Sequence, residues 1–170
     1  SFDRQKVSTW IATEDIKTVL AKDWGYRIEI IKPALLCDFL VGWTKQPSIS
    51  KDMINLVKSA ITRAFLEDTE RNVQICKQAL QTGDKMAVKA SLQKVSDLLL
   101  GLSSAIYNDK LKALKSAEKG LDVIAKSSGS GGGDCGIAIS FSESDSHELA
   151  QRWQKAGIEI LYQERLSDER

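Results

Sequence analysis

The sequence predicts an α+β fold: a ferredoxin-like antiparallel sheet covered by helices on one side, with an extra helical insertion. Three observations carry this. Two short segments of strand character, residues 27–30 and 37–43, stand close together near the start. Helical periodicity then runs from Ser50 to Ile124. Strand, helix and strand patterns follow between Cys135 and Tyr162. Strands set apart by a block of helices and closed by a strand-helix-strand unit build a sheet with helices packed on it.

Residues 3–22 read as helix in two pieces, the second starting at Thr13-Glu14-Asp15 and showing one apolar stripe through Ile16, Val19 and Leu20. Trp24-Gly25-Tyr26 turns the chain. Arg27-Ile28-Glu29-Ile30 alternates with period two, the mark of a half-buried strand, and Pro33 ends it. Cys37 to Trp43 is apolar except for Asp38, as in a central strand. Gln46-Pro47-Ser48 is a loop. Ser50 is a candidate N-cap for a helix with Met53, Val57, Ile61 and Phe65 four residues apart. A second helix carries Val73, Ile75, Cys76, Ala79 and Leu80 and stops near Thr82-Gly83. The next, with Val88, Leu92, Val95, Leu99, Leu102 and Ile106, has a stripe broad enough for the core. Asn108-Asp109 begins another, extending through Leu111, Leu114, Leu121 and Ile124. Cys135 to Phe141 is a strand. Ser146 is placed to cap a helix with Leu149, Ala150 and Trp153 that closes at Gly157, and Ile158 to Tyr162 is the last strand.

A chain of 170 residues suffices for one compact domain and buries about 70% of its unfolded surface without staples. Its net charge of +1 provides no field to draw nucleic acid or an anionic membrane. Cys37, Cys76 and Cys135 are odd in number and widely spaced, as expected of free thiols in the cytoplasm. No apolar run approaches the ~20 residues that cross a bilayer. The opening Ser1-Phe2-Asp3-Arg4-Gln5 lacks Met, so we expect a piece of a longer protein.

The strongest chemical signal is Lys126-Ser127-Ser128-Gly129-Ser130-Gly131-Gly132-Gly133-Asp134, continuing into Cys135-Gly136. Glycines permit positive φ and let backbone N–H groups crowd around an anion or another chain. The bland alternative is a flexible Gly/Ser linker. Against it, the run stops one residue short of a core strand. Read as a helix-to-strand connection, it is neither a P-loop nor a dinucleotide fingerprint, since both follow a strand and open a helix. It would also face the negative end of the preceding helix. His147, the single histidine, reads as a surface residue, and no metal-ligand spacing exists. Ser127 and Ser128 lack a local base. Trp10, Trp24, Trp43 and Trp153 read as core or interface.

Ala125 to Ala138 closely resembles the third conserved motif of the bacterial phosphomevalonate kinases, a branch of the GHMP kinases, with Ser130 where that family usually has Ala. Cys37 to Thr44, Ser1 to Gln5 and Gly157 to Arg165 are similar to the same family, in the same order. The resemblance runs along essentially all of the chain. It implies the C-terminal domain of a two-domain kinase, with residues 1–25 as a connector or the helical end of an N-terminal domain. It implies ATP, Mg²⁺ and phosphomevalonate as reactants, with the phosphate loop and the acidic base in the N-terminal half. No catalytic residue is therefore expected in this chain. Lys126 to Asp134 would brace the phosphate-binding loop and line the phosphoryl or acceptor site. The chain alone would be inactive, would bind no cofactor tightly, and would self-associate through its exposed apolar surface. Two alternatives remain. One is another GHMP enzyme, such as mevalonate kinase, homoserine kinase or diphosphomevalonate decarboxylase, although Gly133-Asp134-Cys135 favours the first reading. The other is a free-standing ferredoxin-like ligand-binding module.

Overall fold

The computed structural model describes residues 4–24, 28–48, 50–129 and 131–166, and the chain divides into two compact units, Ser1–Ile30 and Ile31–Arg170. The first unit holds α1 (Arg4–Thr13) and α2 (Ile16–Leu20), the two pieces expected. The cap between them is Asp15, not Thr13. Its Oδ1 accepts the N–H groups of Lys17 at 3.0 Å and Thr18 at 3.2 Å. Hydrogen bonds from the Thr18 hydroxyl and then its amide hold this carboxyl below its ordinary range. Trp10 meets Trp24 edge-on at 6.5 Å, and Trp24 Nε1 donates to Val19 O at 2.9 Å.

The strand expected at 27–30 is not seen among its described residues, 28–30. Arg27 lies outside the described residues, as do Gly25 and Tyr26 of the preceding turn. Ile28–Ile30 has no strand structure, and Ile28 and Ile30 are 81% and 90% exposed. Period-two alternation makes a strand only where a partner supplies the ladder, and the described sheet offers none there.

The second unit contains β1 (Cys37–Trp43), β2 (Val123–Ser127), β3 (Cys135–Ser140) and β4 (Glu159–Leu166). They form one antiparallel sheet in the order β2-β3-β1-β4. Between β1 and β2 come α3 (Ser50–Val57), α4 (Arg63–Thr82), α5 (Lys85–Leu102) and α6 (Asp109–Ser116); α7 (Glu143–Lys155) joins β3 to β4. This is the α+β, ferredoxin-like arrangement with a helical insertion that the sequence predicts.

Two details differ. β2 falls where the helix carrying Leu121 and Ile124 was expected. α6 ends at Ser116, and Val123, Ile124 and Ala125 are 3%, 4% and 0% exposed. Their burial on both faces erases the alternation that identifies a strand. The helices also cover both faces rather than one. On one face Leu40, Val123, Ala125 and Ala138 pack with Leu111 and Leu114 of α6 and with Leu149 and Trp153 of α7. On the other, Cys37, Ile124 and Ile139 pack with Ala79 of α4 and Val88 of α5.

Local chemistry sets the helix ends. The stripe from Met53 to Phe65 spans two helices, because Thr62 caps α4 by accepting the Phe65 N–H at 3.1 Å. Gly83 stops α4 at φ 75°, and Asn108 caps α6 through the Leu111 N–H at 2.9 Å, both as expected. Ile106 lies in the short 3-10 turn Ser104–Ile106 beyond α5. Ser142, not Ser146, caps α7, accepting the Asp145 N–H at 3.1 Å. Ser146 is buried and donates instead to the buried Asp38 carboxylate of β1, the one acidic residue in that strand. His147 is exposed.

Candidate functional site

The glycine-rich segment is the connection of an antiparallel hairpin. Ser127 closes β2 opposite Gly136 of β3, so the loop leaves a strand and enters a strand. The expectation of a helix-to-strand connection therefore fails with the missed β2, and so does the argument from a negative helix end. Ser130 lies outside the described residues.

The remaining loop is clamped from three sides. The Ser128 N–H donates to Cys135 O at 2.9 Å, closing its base. The Gly132 N–H donates to Ile106 O at 2.8 Å, and Asn108 Nδ2 donates to Gly132 O at 2.8 Å. Ser48 Oγ donates to Gly131 O at 2.6 Å. Asp134 is the fullest anchor. Its N–H donates to Gln46 O at 2.6 Å, its carbonyl accepts from Thr44 Oγ1 and Thr44 N–H, each at 2.8 Å, and its carboxylate accepts the Ser48 N–H at 3.2 Å. These contacts hold Asp134 at φ 53°, a region that Asp tolerates better than most residues. Gly129, Gly131 and Gly132 share the left-handed region, at φ 67°, 73° and 78°.

A linker would show no such network. The result is a fixed backbone in which the N–H groups of Gly129, Gly131 and Gly133 find no acceptor among the described residues. Loop amides left without an acceptor are the kind of donor that suits an anion.

Lys126 and Ser127 point to opposite faces of the sheet, as neighbours on a strand must. Ser127 is fully buried on the Tyr107 side. Its N–H donates to the Tyr107 hydroxyl at 3.3 Å, and its own hydroxyl has no partner among the described residues. The Tyr107 hydroxyl is also bonded to Ser96 of α5. Lys126 runs the other way, into a chamber under α4 and α5, and its Nζ donates to Ser127 O at 2.6 Å. Burial, then the charge of Lys115, holds this ammonium below the ordinary lysine range. Burial also raises the thiol of Cys135, and that of Cys37 to about 11, so both are poor nucleophiles.

Sequence reasoning located the loop but missed its clamps: Thr44, Gln46, Ser48, Tyr107 and Asn108. Asn108 was legible as a helix cap and Gln46 to Ser48 as a loop; their meeting at the glycines is a tertiary fact with no local signal. Among the described residues no group of three or more His, Cys, Asp or Glu side chains is placed to hold a metal ion, and no helix is long and apolar enough to cross a membrane.

Comparison with known proteins assigns this arrangement. Residues 76–159 match the family described as GHMP kinases C terminal. The crystal structure of Streptococcus pneumoniae phosphomevalonate kinase superposes with a TM-score of 0.88 at 47% identity, covering 97% of this chain and 51% of that one. Its complex with phosphomevalonate and AMPPNP superposes with a TM-score of 0.89. A Streptomyces phosphomevalonate kinase is 32% identical over 130 residues, which are 69% of this chain and 35% of that protein. Mevalonate kinase from L. major, at 19% identity and a TM-score of 0.64, shares the fold. The chain thus spans about half or less of the phosphomevalonate kinases it matches. By this family match and by the likeness along nearly its whole length, the chain belongs to the GHMP kinases and carries their C-terminal domain.

Proposed function

We propose that this chain is the C-terminal half of an ATP-dependent phosphomevalonate kinase, which transfers the γ-phosphoryl group of ATP to phosphomevalonate and releases diphosphomevalonate and ADP. The observation that carries the reading is the clamped glycine loop, set in a chain 47% identical over 97% of its length to a kinase solved with phosphomevalonate and AMPPNP. Phosphoryl transfer depends mainly on positioning and on stabilising charge on the phosphate oxygens. A backbone pinned at Gly132 by Ile106 and Asn108, and at Asp134 by Thr44, Gln46 and Ser48, presents its amides without reorganising. That is the kind of electrostatic preorganisation such a reaction exploits.

In this reading Ser128 to Asp134 line the phosphoryl or acceptor site, and Lys126 with the buried Ser127 braces the root of the loop, Lys126 through Ser127 O. The N-terminal half of the enzyme is the partner. It supplies the main phosphate loop and the acidic base, so the chain alone does not turn over. Mg²⁺ enters with ATP. The one loop carboxylate, Asp134, accepts the Ser48 N–H at 3.2 Å through Oδ1. The cytoplasm is the compartment of this reaction and suits the free thiols.

The test is a coupled ADP-release assay on the full-length enzyme with phosphomevalonate, mevalonate and homoserine as competing acceptors. Phosphomevalonate is expected to have the highest kcat/KM; a preference for either of the others refutes the assignment. Gly132→Val tests the loop. A Cβ there would lie 2.7 Å from Met53 Sδ and 3.1 Å from Ser48 Oγ. A shift of about 1 Å should lower turnover on the order of 100-fold, and unchanged turnover would reduce the loop to a spacer.

A further inference from the structure

Beneath α4 and α5, on the Lys126 face of the sheet, lies an open-sided chamber of about 320 Å³. Its walls are mostly apolar, with Val73, Cys76 and Leu80 of α4, Leu92 and Val95 of α5, and Ile137 of β3, and Asn72 and Ser91 add two polar side chains. The volume is at the small end of the range for ligand pockets, about 300–1,000 Å³. At roughly the 30 Å³ share of a liquid water molecule, it holds about ten non-hydrogen atoms.

Lys126 from β2 is the cation the site turns on, and among the described residues that line the chamber there is no carboxylate. An ammonium carries three donors, and among the described residues Lys126 spends one, on Ser127 O at 2.6 Å. Lys126 and Ile137 are directly paired on β2 and β3, so both side chains leave the same face of the sheet and line the chamber. A ligand that fits is complementary in both respects, with an apolar body for the walls and a single anionic head for the ammonium. Neutral apolar molecules would leave the cation desolvated and unpaired, and small inorganic anions would leave the walls unfilled.

We propose that this chamber is a binding site for an apolar-bodied anion of about ten non-hydrogen atoms, its head group on Lys126 and its tail between α4 and α5. This site does not depend on the phosphoryl-transfer reading, and its test uses no activity assay.

The probe is n-octanoate, titrated into the full 170-residue chain by calorimetry and by amide chemical shifts. Octyl phosphate, 1-octanol and acetate serve as comparison ligands. One octanoate is expected to bind per chain with a dissociation constant on the order of 0.1–1 mM, with shifts at Leu92, Val95 and Ile137. Octanol and acetate should bind at least ten-fold more weakly. Tighter binding of octyl phosphate places the natural ligand among phosphate monoesters, and tighter binding of octanoate places it among carboxylic acids; either meets the proposal.

Lys126→Met keeps the length and removes the charge. It should weaken octanoate at least ten-fold, Lys126→Arg should restore binding, and melts of both variants without ligand check that each is folded at the titration temperature. Leu92→Trp fills the chamber and should abolish binding. Three results would overturn the site: octanol binding as well as octanoate, Lys126→Met retaining full affinity, or no saturable shift up to 10 mM octanoate. If Leu92→Trp fails to fold, the Lys126 pair and the octanol comparison still decide.

Discussion

Gly129 and Gly131 make a matched pair for testing whether the loop is clamped. Both have positive φ, 67° and 73°, so an alanine at either incurs the same left-handed penalty of about 1–2 kcal/mol. Their surroundings differ. A Cβ at Gly129 meets nothing within 4 Å, whereas one at Gly131 would lie 2.6 Å from the carbonyl oxygen of Ile106 and against its side chain. That oxygen accepts the Gly132 N–H at 2.8 Å, so the loop cannot retreat without breaking a bond. Overpacking against backbone adds about 1–3 kcal/mol. Gly131→Ala should therefore be less stable than Gly129→Ala by about 1–3 kcal/mol. At roughly 2–4 °C per kcal/mol for a chain of this size, that is a gap of about 2–12 °C in melting temperature. Thermal and urea melts of the two variants, run side by side, measure it. Equal melting temperatures would show that the loop swings free of Ile106, and the argument from fixed amides would fail with it.

Three further outcomes are expected. Asp and Asn are nearly equivalent at ordinary N-caps, where loss of the cap costs about 0.5–2 kcal/mol. Asn108→Asp, however, turns a carboxylate oxygen toward Gly132 O and Gln46 Oε1, so in urea melts it should cost at least as much as Asn108→Ala. Asp122 pairs with Lys85 at 2.7 Å and Lys89 at 2.9 Å, and hydrogen bonds from these two lysines hold its carboxyl below the ordinary range. Its contribution is complete above the unfolded value near ~3.9 and is lost as pH falls through the lower folded one. Asp122→Asn should cost about 1 kcal/mol at pH 7, given two partly exposed pairs, and the gap should close in strong acid; a gap constant from pH 7 to pH 2 would refute this. Trp153 is fully buried and donates to Leu114 O at 2.9 Å, so Trp153→Phe should cost about 1–3 kcal/mol for the orphaned carbonyl, and a melt within error of wild type would contradict it.

The fold was legible where polar punctuation marks the ends of an amphipathic stripe. Gly83 and Asn108 bound their helices at the residues the sequence singles out, and α1 and α2 separate near Thr13 as expected. It was illegible where burial is two-sided. Val123-Ile124-Ala125 faces a core on each side of the sheet, so no period survives to separate strand from helix. Leu121 and Ile124, three apart, then extend the helical stripe of α6 by coincidence. The opposite error came at Ile28–Ile30, where a period of two exists but no ladder receives it. Periodicity reports which face is wet, and secondary structure follows only if hydrogen-bond partners are in reach.

The site follows the same logic one level up. A run of glycines is visible in any sequence, but whether it is slack or rigid is decided by residues far away along the chain. Ser48 lies 83 positions from Gly131 and Asn108 lies 24 from Gly132, and each contributes one side chain to the loop. Placing β2 ahead of the loop changes the physics as well as the topology. A helix end would have brought a partial negative charge to the glycines; a hairpin brings none, and leaves the field at the loop to its own amides and the Asp134 carboxylate. It also divides two neighbours that the motif joins. Ser127 goes to the buried Tyr107 side and Lys126 to the chamber beneath α4 and α5, so the one cation of the motif lies on the sheet face opposite Ser127. Backbone conformation, rather than that lysine, is therefore what the loop has to offer an anion.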